Sequence, residues 1–92
     1  EFHMGKYCKL FYEDKSQAEI DFKKINDLSI FAYESGLEVH LGHGLDFDTT
    51  KKVTEIPCLQ EVNIGFFLIA ESIFSGLENS IRKMKDICNR DF

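Results

Sequence analysis

Two short apolar runs, Leu37 to Leu41 (LEVHL) and Leu59 to Ile64 (LQEVNI), constrain the fold more than any other feature of the chain. Both have the length of a strand, and each is followed at once by a glycine, Gly42 or Gly65. A long segment with helical periodicity precedes the first run, and a polar stretch of helical length lies between the two. Strands separated by helices pair in parallel through right-handed crossovers. The expected class is therefore α/β.

The helices follow from period and caps. Ser16 and Glu19 have the spacing of a capping box. After them Ala18, Phe22, Ile25, Ser29 and Ala32 share one face, widened by Ile20, Leu28 and Phe31. The pattern predicts a helix from about Gln17 to Ser35, closed by Gly36 as the residue past the C-cap. The residues before it read differently. Glu1 to Tyr7 is the tail of a strand that turns at Gly5 and frays at its exposed end, and Cys8 to Lys15 is loop. Asp48 caps a short helix over Thr49 to Glu55, which Pro57 stops. Phe66 to about Phe74 is apolar nearly all round and reads as a short buried helix, its first amides aimed at the mouth of the sheet. Ser75 and Glu78 form a second capping box. The last helix then runs from Leu77 to about Asn89, with Leu77, Ile81, Met84 and Cys88 inward and Ile87 beside them. Lys83, Lys85 and Arg90 lie toward the helix's negative end.

Composition narrows the function classes. At 92 residues the chain holds one domain at most. A net charge of −5, with no basic block, argues against nucleic acid as a partner. It leaves phosphorylated small molecules open, because backbone N–H groups and a helix N-terminus hold phosphate without net charge. Cys8, Cys58 and Cys88 are an odd number without metal-ligand spacing, so neither a disulfide framework nor a zinc site is expected, and a reducing cytoplasm is the default. No apolar run approaches the ~18–20 residues of a membrane span, and no basic-then-apolar leader opens the chain. The chain starts at Glu1 without Met, and is expected to be a piece of something longer.

Gly42-His43-Gly44-Leu45 is the stretch that carries chemistry. Glycines on both sides of His43 allow unusual backbone angles and close approach of a ligand. Histidine can give or take a proton near neutral pH. A strand's C-terminal end is where α/β enzymes place such a group. From the tetrapeptide alone, a loop histidine without a role is an equal alternative.

Taken together, EFHMGKY (Glu1 to Tyr7), ESGLEVHLGHGLDF (Glu34 to Phe47), EIPCLQEVNIG (Glu55 to Gly65) and SGLENSIRKMKDI (Ser75 to Ile87) resemble the C-terminal part of the pyridoxine 5′-phosphate synthase family of vitamin B6 biosynthesis. The resemblance covers essentially the whole chain. It implies a transferase and a (β/α)8 TIM barrel, of which residues 1–92 would be the C-terminal segment. Glu1 would end strand six, and the two apolar runs would be strands seven and eight. It also implies condensation of 3-amino-2-oxopropyl phosphate with 1-deoxy-D-xylulose 5-phosphate to pyridoxine 5′-phosphate, releasing phosphate and water, without metal or organic cofactor. Carried onto this sequence, His43 would be the proton donor and Glu1 a carboxylate that stabilises the transition state. Gly44, Gly65 and the position of Phe66 would bind the aminoacetone phosphate substrate. Phe66 departs from the family, which usually has a polar residue there; its side chain offers phosphate no hydrogen bond. The implied partners are phosphorylated small molecules and, in the complete protein, further copies of itself in a homo-oligomer. A second reading is a truncated, non-catalytic phosphate-binding or self-associating α/β module. On either reading, activity of these residues in isolation is not expected, since most of the barrel would be missing.

Overall fold

The computed structural model describes residues 1–89. Strand β1 (Phe2–His3) leads into helices α1 (Gly5–Glu13) and α2 (Lys15–Glu34). Strand β2 (Val39–Gly42), helix α3 (Phe47–Val53), strand β3 (Leu59–Asn63) and helices α4 (Phe66–Ser75) and α5 (Leu77–Cys88) follow. The strands form one parallel sheet in the order β1-β2-β3. The fold is therefore α/β, with three parallel strands and five helices among the described residues.

Alternation along the strands sorts the sheet into two faces. Phe2, Leu41 and Val62 are in register across it, and they pack into a core with Met4, Tyr7, Val39, Leu45 and Val53. Helices α1 and α2 contribute Tyr7, Cys8, Ala18 and Ile25 to that core. The opposite face is polar. His40 sits in register with Glu61, and its two ring nitrogens lie 3.1 Å from carboxylate oxygens of Glu38 and Glu61. A bulge between Val39 and His40 leaves Gln60 outside the pairing, and the Gln60 side chain accepts from the Val39 N–H at 3.1 Å. The irregularity thus satisfies its own orphaned donor.

The long helix ends as expected. Ser35 is the C-cap and Gly36 takes φ +90°. The N–H groups of Gly36 and Leu37 bond back to Tyr33 and Ala32, the paired pattern of a Schellman motif. Its start is earlier than the capping box implies. Asp14, not Ser16, is the N-cap, its side chain accepting from the Gln17 N–H at 3.2 Å. Ala18, Ile25 and Ser29 are buried, but Ile20, Leu28 and Phe31 are exposed, so the apolar face is narrower than the pattern suggests.

Other expectations are corrected. The segment Cys8 to Glu13 is helix, not loop: Tyr7 and Cys8 are buried in the core and the segment packs along α2. Gly5 opens that helix instead of making a turn. Asp46, two residues before Asp48, caps α3 in a reciprocal box with Thr49. No side chain caps α5; Ser75 Oγ instead donates to Glu71 of its own helix. In α5, Met84 is buried together with Ser80, whereas Leu77 and Ile81 are exposed. The expected Arg90 at the end of that helix lies outside the described residues.

The largest difference is α4. It is a helix, as expected, yet none of its residues is buried. Phe66, Ile73 and Phe74 are 91%, 80% and 87% exposed. The helix packs on α5 and, through Phe67, edge-on against Phe47 at 4.7 Å. Its apolar circumference exceeds what those contacts can cover. Among the described residues no helix is long and apolar enough to cross a membrane.

Candidate functional site

The parallel strands all end on one side, and a cleft of about 900 Å³ opens there. It is lined by Glu1, His43, Gly44, Asp46, Asn63, Gly65 and Phe66, among others. Glu1, His43, Gly44, Gly65 and Phe66, the residues to which the family resemblance gave a role, thus border one cavity, although they come from three separate segments of the chain.

His43 follows directly from β2 and has φ +75°, and Gly44 follows at φ +83°. Of the two glycines expected to take unusual angles only Gly44 does, and the histidine itself takes the other. A non-glycine residue in this region costs about 1–3 kcal/mol and persists only where surrounding structure enforces it. Gly44 is enforced by both angle and space, since a Cβ there would lie 3.3 Å from Gly5 Cα.

Gly42 has a different reason to be glycine. A Cβ on it would fall 2.8 Å from Glu1 Oε1 and 3.3 Å from Asn63 Cβ. The bare Cα lets the Glu1 carboxylate cross β2 and accept a hydrogen bond from the Asn63 side-chain amide on β3. Glu1 is therefore held by a defined partner and is not a frayed end. Neither Asn63 nor Gly42 stands out in this role from residue type and spacing alone. Asn63 was detectable as the polar residue that ends β3 on the same face as Glu61.

Gly65 presents a third case. Its φ of −123° is open to any residue, and a Cβ there would meet nothing within 4 Å. Neither backbone nor packing requires glycine. Gly65 is also the N-cap of α4 without any side-chain cap, so the first amides of that helix open at the cleft with the positive end of its dipole. The Phe66 side chain is largely exposed and carries no hydrogen-bonding group, so its backbone N–H is the one donor it offers at this end.

The floor of the turn is tied by Asp46. Its carboxylate accepts from the Thr49 N–H at 2.9 Å, from Thr49 Oγ1 at 2.8 Å and from the Tyr12 hydroxyl. Partial burial acts to raise the Asp46 pKa, but the hydrogen bonds from Thr49, Tyr12 and the Asp48 amide outweigh it, and the carboxyl is held below the usual range. A carboxyl depressed on folding contributes stability that is full above the unfolded value of about 3.9 and is lost as pH falls through the folded value. Urea unfolding across acid pH is therefore expected to show an acid-sensitive limb that Asp46→Asn flattens, since Asn keeps a capping oxygen without the charge. Identical pH slopes for both proteins would remove Asp46 from this role.

Cys8 lies beneath the same turn. Burial pushes its thiol up to about 11, although the Thr49 hydroxyl opposes the shift. It packs in the core cluster with Met4, Tyr7 and Leu45. Among the described residues no group of three or more His, Cys, Asp or Glu side chains is arranged to hold a metal ion.

A family profile described as pyridoxal phosphate biosynthesis protein PdxJ matches residues 1–90. The chain belongs to the PdxJ family. It is 45% identical over 86 residues to the pyridoxine 5′-phosphate synthase of Roseobacter denitrificans, covering 92% of this chain and 34% of that protein. It is 44% identical to the synthase of Caulobacter vibrioides with the same coverage. With the synthase of Rhodopseudomonas palustris it shares 37% over 91 residues, which is 98% of this chain and 36% of that protein. The chain thus spans about a third of the length of the curated PdxJ relatives it matches.

Proposed function

We propose that this chain is the C-terminal third of a (β/α)8-barrel pyridoxine 5′-phosphate synthase, with β1, β2 and β3 as the sixth, seventh and eighth strands. The observation that carries the reading is the convergence of His43, Glu1 and the uncapped N-terminus of α4 on one cleft at the strands' C-terminal ends. That is where barrel enzymes keep their chemistry, often with a phosphate site beside a short extra helix. The outer edges of β1 and β3 have no strand beside them among the described residues, which suits a sheet that continues on both sides.

In the proposed reaction the amine of 3-amino-2-oxopropyl phosphate condenses with the ketone of 1-deoxy-D-xylulose 5-phosphate. Imine formation and ring closure expel water, and one substrate phosphate departs as inorganic phosphate; His43 supplies the proton with which a hydroxyl oxygen leaves as water. Glu1, fixed by Asn63, stabilises the positive charge that develops on the condensing nitrogen. Gly44, Gly65 and the backbone N–H of Phe66 hold the substrate phosphate. The unoccupied space at Gly65 admits it, and the α4 dipole favours its charge. A homo-oligomer is part of the same proposal, and the exposed apolar side of α4 offers it a surface.

The test is a chimera in which these residues replace the corresponding third of the Roseobacter denitrificans synthase. Conversion of the two substrates into pyridoxine 5′-phosphate is expected. A chimera that melts cooperatively but forms no product would overturn the proposal.

A further inference from the structure

The imidazole of His3 stacks on that of His43, with ring centroids 4.0 Å apart and planes inclined by 26°. His3 has no part in the chemistry proposed above, and its position follows from the sheet. It is in register with Gly42, the residue immediately before His43, so β1 delivers its side chain beside the turn. Two further features hold the pair. His3 Nδ1 accepts from the Gly5 N–H at 3.3 Å, which orients the ring and leaves its proton on Nε2 when neutral. A Cβ on Gly5 would lie 2.8 Å from His3 Cε1 and 2.9 Å from His43 Cδ2, so both rings rest over that bare Cα.

His43 needs such support. It is exposed, it sits at φ +75°, and among the described residues its ring makes no hydrogen bond. An unrestrained side chain samples several rotamers. A general acid must come within ~2.6–3.2 Å of the atom it protonates. We infer that His3 is a positioning residue for His43: stacked over Gly5, it holds the imidazole in the one orientation that borders the cleft. The inference deepens the general-acid reading of His43 and rests on it.

The test uses the full chain, isotope-labelled, with the imidazole C–H resonances of its histidines assigned by single substitutions and recorded in mildly alkaline buffer. The His43 resonances are expected to be displaced upfield by the His3 ring current and to lose that displacement in His3→Ala. His3→Phe, which keeps a ring, restores it; His3→Gln, which keeps only polarity, does not. Gly5→Ala shifts both His3 and His43 and leaves His40 in place. A His43 signal indifferent to His3→Ala, equal rescue by Gln and Phe, or random-coil positions for both rings in the unsubstituted chain would each overturn the inference.

These spectra are read without turnover, so the clamp and the acid assignment fail separately. In the chimera, His3→Ala is expected to lower kcat by up to ~10²-fold with KM little changed, and His3→Phe to recover it. Correct shifts combined with undiminished kcat in His3→Ala would overturn the positioning role while leaving the acid assignment intact.

Discussion

His43→Asn in the chimera is expected to lower turnover by about 10²–10⁴-fold, the usual contribution of a positioned general acid or base. Asn is the right replacement because it tolerates the left-handed backbone that His43 adopts at φ +75°, where Ala would add strain of its own. KM for the aminoacetone phosphate is expected to hold, since the proposed phosphate contacts come from Gly44, Gly65 and the start of α4 and involve no imidazole. Loss confined to kcat marks an interaction made only in the transition state. Turnover within a few-fold of the parent chimera would take His43 out of the mechanism. The proposed function would then rest on the phosphate site alone.

Leu41→Ala is expected to cost the chain about 2–5 kcal/mol of stability, read as a shift in the urea midpoint at constant slope. Leu41 is fully buried on the central strand, in register with Phe2 on one side and Val62 on the other. Truncating it opens a cavity at the centre of a thin core that has few alternative contacts with which to collapse. Leu37→Ala is the control. Leu37 precedes the strand and is 63% exposed, so its loss is expected to stay within about 0.5 kcal/mol. Similar effects from both substitutions would mean that the sheet face is not the core of this fold.

The contrast between Leu37 and Leu41 shows where local pattern stops being informative. Both belong to one apolar-alternating run, and the run does predict a strand. The depth of each residue depends on which helices lie across the sheet. The same holds for the apolar residues of α2. Ala18, Ile25 and Ser29 are buried as their spacing predicts, whereas Phe31, on the edge of the same stripe, is 69% exposed. Hydrophobic period finds a face, but the width of the face that is covered depends on the partner.

The caps fail for a similar reason. Ser16 with Glu19, and Ser75 with Glu78, satisfy the spacing of a capping box, yet Asp14 starts α2 and no side chain caps α5. Asp14 prevails because α1 ends there, and the chain has to reverse at that residue. At α3, Asp46 wins over Asp48 because its carboxylate also receives the Tyr12 hydroxyl from α1, a partner far away in sequence.

For the site, sequence alone determined which residues could act. GHG placed a titratable side chain at a strand end, NIG placed a glycine before an apolar helix, and the combined motifs pointed to the family. These are properties of residue type and short spacing, so they survive without coordinates. Only the tertiary structure decided how those residues are brought together. It joined Glu1 to Asn63 over the bare Cα of Gly42 and laid His3 on His43 over that of Gly5. Each of these depends on strands from distant parts of the chain lying in register about 4.8 Å apart, and local spacing does not encode that distance.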